Sequence, residues 1–195
     1  MNVFGWPGGA GQDCVDPGPS QQGLACVIAA KAAGADRVIV SGLARDRERL
    51  AIAKALGADR VVDVEEEDLE DTVRAVTAGM GVDVSIDTAG GPATLATAMK
   101  VTRKNGAVLF AAAPPGTPES FNVNDLLARR LTGKPCRGHS YEAVELALRY
   151  IASKRLPLHL LATHRFGLAD VDLAVRSVGG HRAPGALHVT VMPWM

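Results

Sequence analysis

Gly18-Pro19-Ser20-Gln21-Gln22-Gly23, running straight into LACVIAAKAA at residues 24–33, is the stretch on which the fold turns. The segment 23–33 is apolar almost all round, with Lys31 its only charge, and such a helix must be buried on most of its sides. Gly34 stops it, as a glycine past a helix end does. The turn in front has the spacing GxGxxG, with Ser20 in place of the middle glycine. Each position answers a physical need: Gly18 for a tight turn, Gly23 so that the helix packs close to a sheet, and the middle position so that a pyrophosphate can approach the backbone. Serine is the mildest replacement there, and its hydroxyl can donate to a phosphate. The backbone N–H groups of Gln21 and Gln22 then point from the helix N-terminus at the anion.

Downstream, strand and helix signals alternate. Arg37–Ser41 (RVIVS) reads as a buried strand, and Arg45–Leu56 as an amphipathic helix closed by Gly57. Arg60–Val64 reads as a strand, Leu69–Thr77 as a helix with acidic residues ahead of it, and Val82–Asp87 as a strand. Pro92–Val101 reads as a helix with proline in its first turn, and Ala107–Ala112 as a strand. This alternation predicts an α/β fold, a doubly wound parallel sheet of Rossmann type, with ligands at the carboxyl ends of the strands. One element fits poorly. The central strand before the turn is Asp13-Cys14-Val15-Asp16-Pro17, which has little apolar content.

After residue 113 the pattern changes. Residues 113–120 (APPGTPES) read as a loop, and Leu131–Gly138 as a strand that Pro135 pushes to an edge. Ser140–Ser153 reads as a helix capped by Ser140, and Leu168–Val178 as a second helix. Residues 179–185 read as a loop, and Ala186–Met192 as a strand of another sheet. His159 and His164 fall on a segment read as loop and are not taken as ligands. His139 is taken as a structural histidine, and His181 and His188 have no acidic or thiol partner nearby in sequence.

Composition narrows the function. Of 195 residues 47% are hydrophobic but only 4% aromatic, so the core is built from small aliphatic side chains. Lys+Arg and Asp+Glu both number 21, so no uniform basic field exists to hold nucleic acid. No run approaches the ~20 apolar residues of a membrane helix. Cys14, Cys26 and Cys136 are odd in number and lack CxxC spacing, which speaks against a disulfide framework or a structural zinc site and suits a reducing, cytoplasmic setting. At the end of the second strand, where NAD proteins carry a ribose-binding acid, Gly42 stands instead, followed by Arg45, Arg47 and Arg49. Missing acid and nearby arginines lean toward NADP. The same absence counts against a methyltransferase.

Together the segments GPSQQGLACVIAAKAAGADRVIV, LAIAKALGADRVVDV, GVDVSIDTAGG and NGAVLFAAAPPG, with the tail RGHSYEAVELALRYIAS, THRFGLADVDLAVRSVGG and HVTVMPW, resemble the coenzyme domain of medium-chain, zinc-type alcohol dehydrogenases over residues 15–195. The resemblance implies an NAD(P)-dependent oxidoreductase moving a hydride to or from a small alcohol or carbonyl substrate. It implies residues 16–138 as the NAD(P)-binding domain and 139–195 as the return to a catalytic domain, with 1–15 an unassigned leader. The zinc ligands of the family have no counterparts, so zinc is expected only in a catalytic domain missing from this chain. Carried over by position, Gly18, Ser20 and Gly23 form the pyrophosphate turn, with Gln21 and Gln22 as donors. Gly42 and Arg45 lie at the adenosine ribose, Thr88 and Ala89 along the cofactor, and Ala112 and Ala113 near the nicotinamide. Arg137 and Gly138 lie on the exit from the domain. No residue is assigned a catalytic or metal-binding role. The family commonly forms dimers or tetramers, which implies a homo-oligomer; neither nucleic acid nor a membrane is expected as a partner. The alternative is a catalytically inactive NAD(P)H-binding module or sensor.

Overall fold

The computed structural model describes residues 11–16, 18–112, 122–136, 138–178 and 185–195. They form two compact units that part within one helix, between Leu148 and Arg149, past the 138/139 boundary read from the sequence.

The first unit holds a six-stranded sheet. Its strands are β1 (Asp13–Asp16), β2 (Arg37–Gly42), β3 (Arg60–Asp63), β4 (Val82–Asp87), β5 (Thr102–Phe110) and β6 (Thr132–Pro135). The order is β3-β2-β1-β4-β5-β6, and every pairing is parallel. The helices between them are α1 (Gln21–Ala32), α2 (Arg47–Ala55), α3 (Leu69–Val76), α4 (Pro92–Val101) and α5 (Val123–Arg129). They pack as two groups, α1 with α2 and α3 with α4 and α5, as helix layers on the two faces of a doubly wound sheet do.

The core is aliphatic. On one face Val15, Ile39, Val62 and Val82 meet Leu69, Val73 and Val101. Toward α1, Leu24 and Val27 are fully buried, as are Val38 and Val40. Burying each such side chain contributes about 1.5–3 kcal/mol. The alternation along β1 sends Val15 to one face and Cys14 and Asp16 to the other.

The poor central strand is nonetheless a strand, and all four of its residues are buried. Its first residue, Asp13, is satisfied from far away in sequence. The Arg37 guanidinium donates to both Asp13 oxygens at 2.7 and 2.8 Å, and the Asp13 N–H donates to Asp83 at 2.8 Å. Other boundaries also move. The helix read from Arg45 begins as a single 3-10 turn, Ala44–Asp46, before α2. The strand read from Ala107 already begins at Thr102. There Ser85 and Thr102 share a hydroxyl contact at 2.6 Å and Arg103 donates to Asp83 at 2.6 Å, so polar residues that look unlike a strand are paired. Helix α5 was not anticipated. Its cap is Asn122, whose side chain accepts from Asn124 N–H. β6 is exposed along its length and sits at the sheet edge, as Pro135 requires. The loops read at 113–120 and 179–184 lie outside the described residues.

Helix α6 (Tyr141–Ser153) crosses the boundary between units, and Ser140 Oγ accepts from Ala143 N–H at its start. The second unit holds a two-stranded parallel sheet, β7 (His164–Gly167) with β8 (Val189–Met192), and α7 (Val171–Val178) packs on both strands. The last strand thus belongs to a separate sheet, as its sequence position suggested. His164, read as loop, is instead the first residue of β7; four residues with alternating polarity are too short a run to announce a strand. Trp194 is 80% exposed.

Candidate functional site

The order 3-2-1-4 reverses between β1 and β4, and in an open parallel sheet the crevice at that point is where ligands bind. Three connections meet there: the turn after β1, the turn after β2 and the loop after β4. They line a cleft of about 650 Å3 that includes Gly18, Ser20, Gly42, Arg45, Ala89 and Thr94.

The turn after β1 is fixed by contact rather than by torsion. A Cβ on Gly23 would lie 1.8 Å from the Gly18 carbonyl oxygen, so no side chain fits. A Cβ on Gly18 would meet the Thr88 hydroxyl at 3.0 Å and Ala89 Cβ at 3.3 Å. Ser20 is the N-cap of α1, and its Oγ accepts from Gly23 N–H at 3.2 Å. The serine at the variant position therefore closes the helix end, and its own O–H stays available to donate. Gln21 and Gln22 follow, exposed, at the first turn of α1.

Gly42 ends β2. A Cβ there would meet Pro19 at 2.9 Å and Asp46 at 3.2 Å, so two arms of the site touch at this glycine. Asp46 accepts from Leu43 N–H at 3.2 Å and pairs with Arg49 at 3.6 Å, while Glu65 accepts from Ala44 N–H at 2.7 Å. Arg45 is exposed in the cleft and makes no hydrogen bond or ion pair among the described residues. The acids of the same cleft are occupied: Asp68 caps α3, Glu67 pairs with Arg60, and Glu70 with Arg74.

On the third arm, Asp87 at the end of β4 accepts from Ala89 N–H at 3.1 Å and Gly90 N–H at 2.9 Å. Thr88 is turned inward. Its hydroxyl lies 2.8 Å from Asp16 Oδ1 and 3.2 Å from the Gly18 carbonyl. It supports the turn from beneath, whereas Ala89 is exposed and lines the cleft. Ala112 is half-buried beyond β5, while Ala113 and Arg137 lie outside the described residues.

Asp16 was not among the site residues read from the sequence. It is 1% exposed at the end of β1, and its Oδ2 has no hydrogen-bond partner among the described residues. Burial, partly countered by the Thr88 hydrogen bond and reinforced by the charge of Asp87, pushes its carboxyl well above the usual range. The signal was present as an acid in a strand that ought to be apolar.

The remaining titratable groups do not converge. His139, His159 and His188 are exposed. Cys14 and Cys26 are buried, and burial raises both thiols, which keeps them protonated and inert. Among the described residues no three His, Cys, Asp or Glu side chains are placed to hold a metal ion.

A parallel sheet in this order, with a glycine turn at its switch point, defines a Rossmann-type α/β domain. Comparison with known proteins narrows the class. Residues 23–153 match the zinc-binding dehydrogenase family. The probable alcohol dehydrogenase of Mycobacterium tuberculosis is 34% identical over 172 residues, 85% of this chain and 46% of its own. A sorbitol dehydrogenase of Halalkalibacterium halodurans is 29% identical, over 83% of this chain and 47% of its own. An alcohol dehydrogenase of Thermotoga maritima superposes with a TM-score of 0.85 at 25% identity, covering 94% of this chain and 51% of that one. A zinc-binding dehydrogenase structure from Sinorhizobium meliloti, bound to NADP, shares the fold with a TM-score of 0.83 at 24% identity, over 95% of this chain and 53% of that one. The chain belongs to the zinc-binding dehydrogenase family, and it spans about half the length of the curated relatives it matches.

Proposed function

We propose that this chain supplies the nucleotide-binding half of an NAD(P)-dependent dehydrogenase that acts on a small alcohol or carbonyl compound. The observation that carries the reading is the turn at the switch point, where Gly23 admits no Cβ and the N-terminus of α1 opens onto the cleft. Gly18, Ser20 and Gly23 form the seat for a pyrophosphate. The N–H groups of Gln21 and Gln22 and the hydroxyl proton of Ser20 are its donors. Gly42 and Arg45 flank the adenosine ribose, Ala89 lines the middle of the cleft, and Ala112 and Ala113 lie toward the nicotinamide end. Thr88 acts through the turn. A dinucleotide held here supplies hydride transfer, and this half of the enzyme contributes its orientation.

In this reading residues 16–138 are the NAD(P)-binding domain, 139–195 return to a catalytic domain, and the zinc that polarises the substrate oxygen is held outside this chain. Self-association as a homo-oligomer and a cytoplasmic setting belong to the same reading. No helix among the described residues is long and apolar enough to cross a membrane. The preference for NADP rests on Arg45, the cleft arginine without a partner among the described residues, beside Arg49, which Asp46 engages.

Parallel calorimetric titrations with NADPH, NADH and S-adenosylmethionine test the reading. Dinucleotide binding is expected, with NADPH preferred. Arg45→Ala should weaken NADPH by about tenfold, the worth of one charge-assisted hydrogen bond, and leave NADH unchanged. Binding without turnover of any alcohol would favour a sensor. Preference for S-adenosylmethionine would overturn the assignment.

A further inference from the structure

Asp16 is wedged between the glycine turn and the first turn of α1. Its Oδ2 lies 3.0 Å from the point where a Gly23 Cβ would stand, and its Oδ1 is 2.8 Å from the Thr88 hydroxyl. That hydroxyl has one proton and two acceptors, Asp16 Oδ1 and the Gly18 carbonyl at 3.2 Å. An ionised carboxylate here would have a single donor among the described residues, whereas a neutral acid is far less costly to bury. Its electrostatic neighbours carry no compensating charge. Asp87 faces it from β4, Cys26 from α1, and Cys14 lies along its own strand. β2 sets Val40 beside it, and the only titratable group on that strand, Arg37, is at the other end and paired with Asp13.

We propose that Asp16 is a positioning residue for the anion-binding turn: as a neutral acid it supports the turn in its binding form, and its ionisation at higher pH withdraws that support. A charge on Asp16 draws the Thr88 proton away from the Gly18 carbonyl, which loosens the turn at the residue that seats the pyrophosphate. It also sets a negative charge behind the place where the pyrophosphate arrives. The inference rests on the dinucleotide reading above. The carboxyl lies well above its ordinary value through burial, so the folded chain loses stability as pH rises from the ordinary carboxylate range to that raised value.

The test uses the full chain and its Asp16→Asn variant, which keeps the shape and neutrality of the protonated acid. NADPH affinity and melting temperature are measured for both across a pH series. Wild-type affinity is expected to fall by about tenfold per pH unit once the carboxyl ionises, because only the neutral fraction is competent. The Asn variant should hold its affinity and should gain melting temperature over wild type as pH rises. Identical pH profiles for the two chains, in binding and in melting, overturn the proposal. Melting profiles that diverge while neither chain binds dinucleotide at any pH overturn the positioning role and, with it, the dinucleotide reading, but leave the neutral acid standing. Should the variant fail to fold, the infrared spectrum of the wild type decides. A protonated-carboxyl band that fades in step with NADPH affinity supports the proposal, and NADPH affinity that stays unchanged as the band fades overturns it.

Discussion

At the scale of single residues, two contacts set the character of the site. Gly23 is there for space: its Cβ would stand 1.8 Å from the Gly18 carbonyl oxygen, which is backbone and not the flexible end of a side chain. Gly23→Ala must therefore displace the turn or the helix. It is expected to cost about 1–3 kcal/mol of stability, as overpacking does, and to abolish NADPH binding. Chemical denaturation and calorimetry read the two effects separately, and a stable variant with normal binding would show that the turn does not seat the cofactor. Gly18, Ser20 and Gly23 were legible because spacing in the chain is what the turn needs. Asp16 was not, since its meaning comes from Thr88, distant in sequence and set beside it only by the pairing of β1 with β4.

At the scale of elements, the alternation of strand and helix was readable wherever apolar runs were long. β1 (DCVD) and the start of β5 (TRKN) use polar residues whose partners lie on other strands, Asp13 with Arg37, Thr102 with Ser85 and Arg103 with Asp83, so no local pattern marks them, and β7 (HRFG) is too short to show one. Asp59 shows how such long-range pairing holds elements together. Its carboxylate accepts from Lys31 of α1 at 2.9 Å and from Val38 N–H of β2 at 2.7 Å. Partial burial pushes this carboxyl up, but the hydrogen bonds from Lys31 and Val38 outweigh it and the net direction is down. A carboxyl lowered by folding adds stability above the ordinary carboxylate range, and that stability is lost as pH falls through the lowered value. Asp59→Asn should accordingly melt lower than wild type at neutral pH, with the gap closing in acid. A gap that stays constant with pH would show that the charge is not the cause.

At the scale of the whole molecule, the two units differ in how much core they own. Nearly all of the fully buried aliphatic side chains belong to the first unit; in the second, Ala174, Ala186 and Leu187 are the buried hydrophobic residues among those described. A unit of that size with so little buried apolar surface is marginal on its own. Hydrogen exchange should show this directly. Amides of β7, β8 and α7 are expected to exchange well before those of β1, β2 and β4, and uniform protection across both units would contradict it.

The parallel pairing of the large sheet also governs how the chain finds its structure. No neighbouring pair in that sheet is joined by a hairpin, so every ladder closes through a long loop, and Cys14 must wait for Val84. On a ribosome adding about 5–20 residues per second, the middle strand emerges seconds before the second of its two flanking partners exists. Folding dominated by such remote contacts is slow, and of the inner strands of this sheet the one that carries Asp16 waits over the longest stretch of chain for its second neighbour.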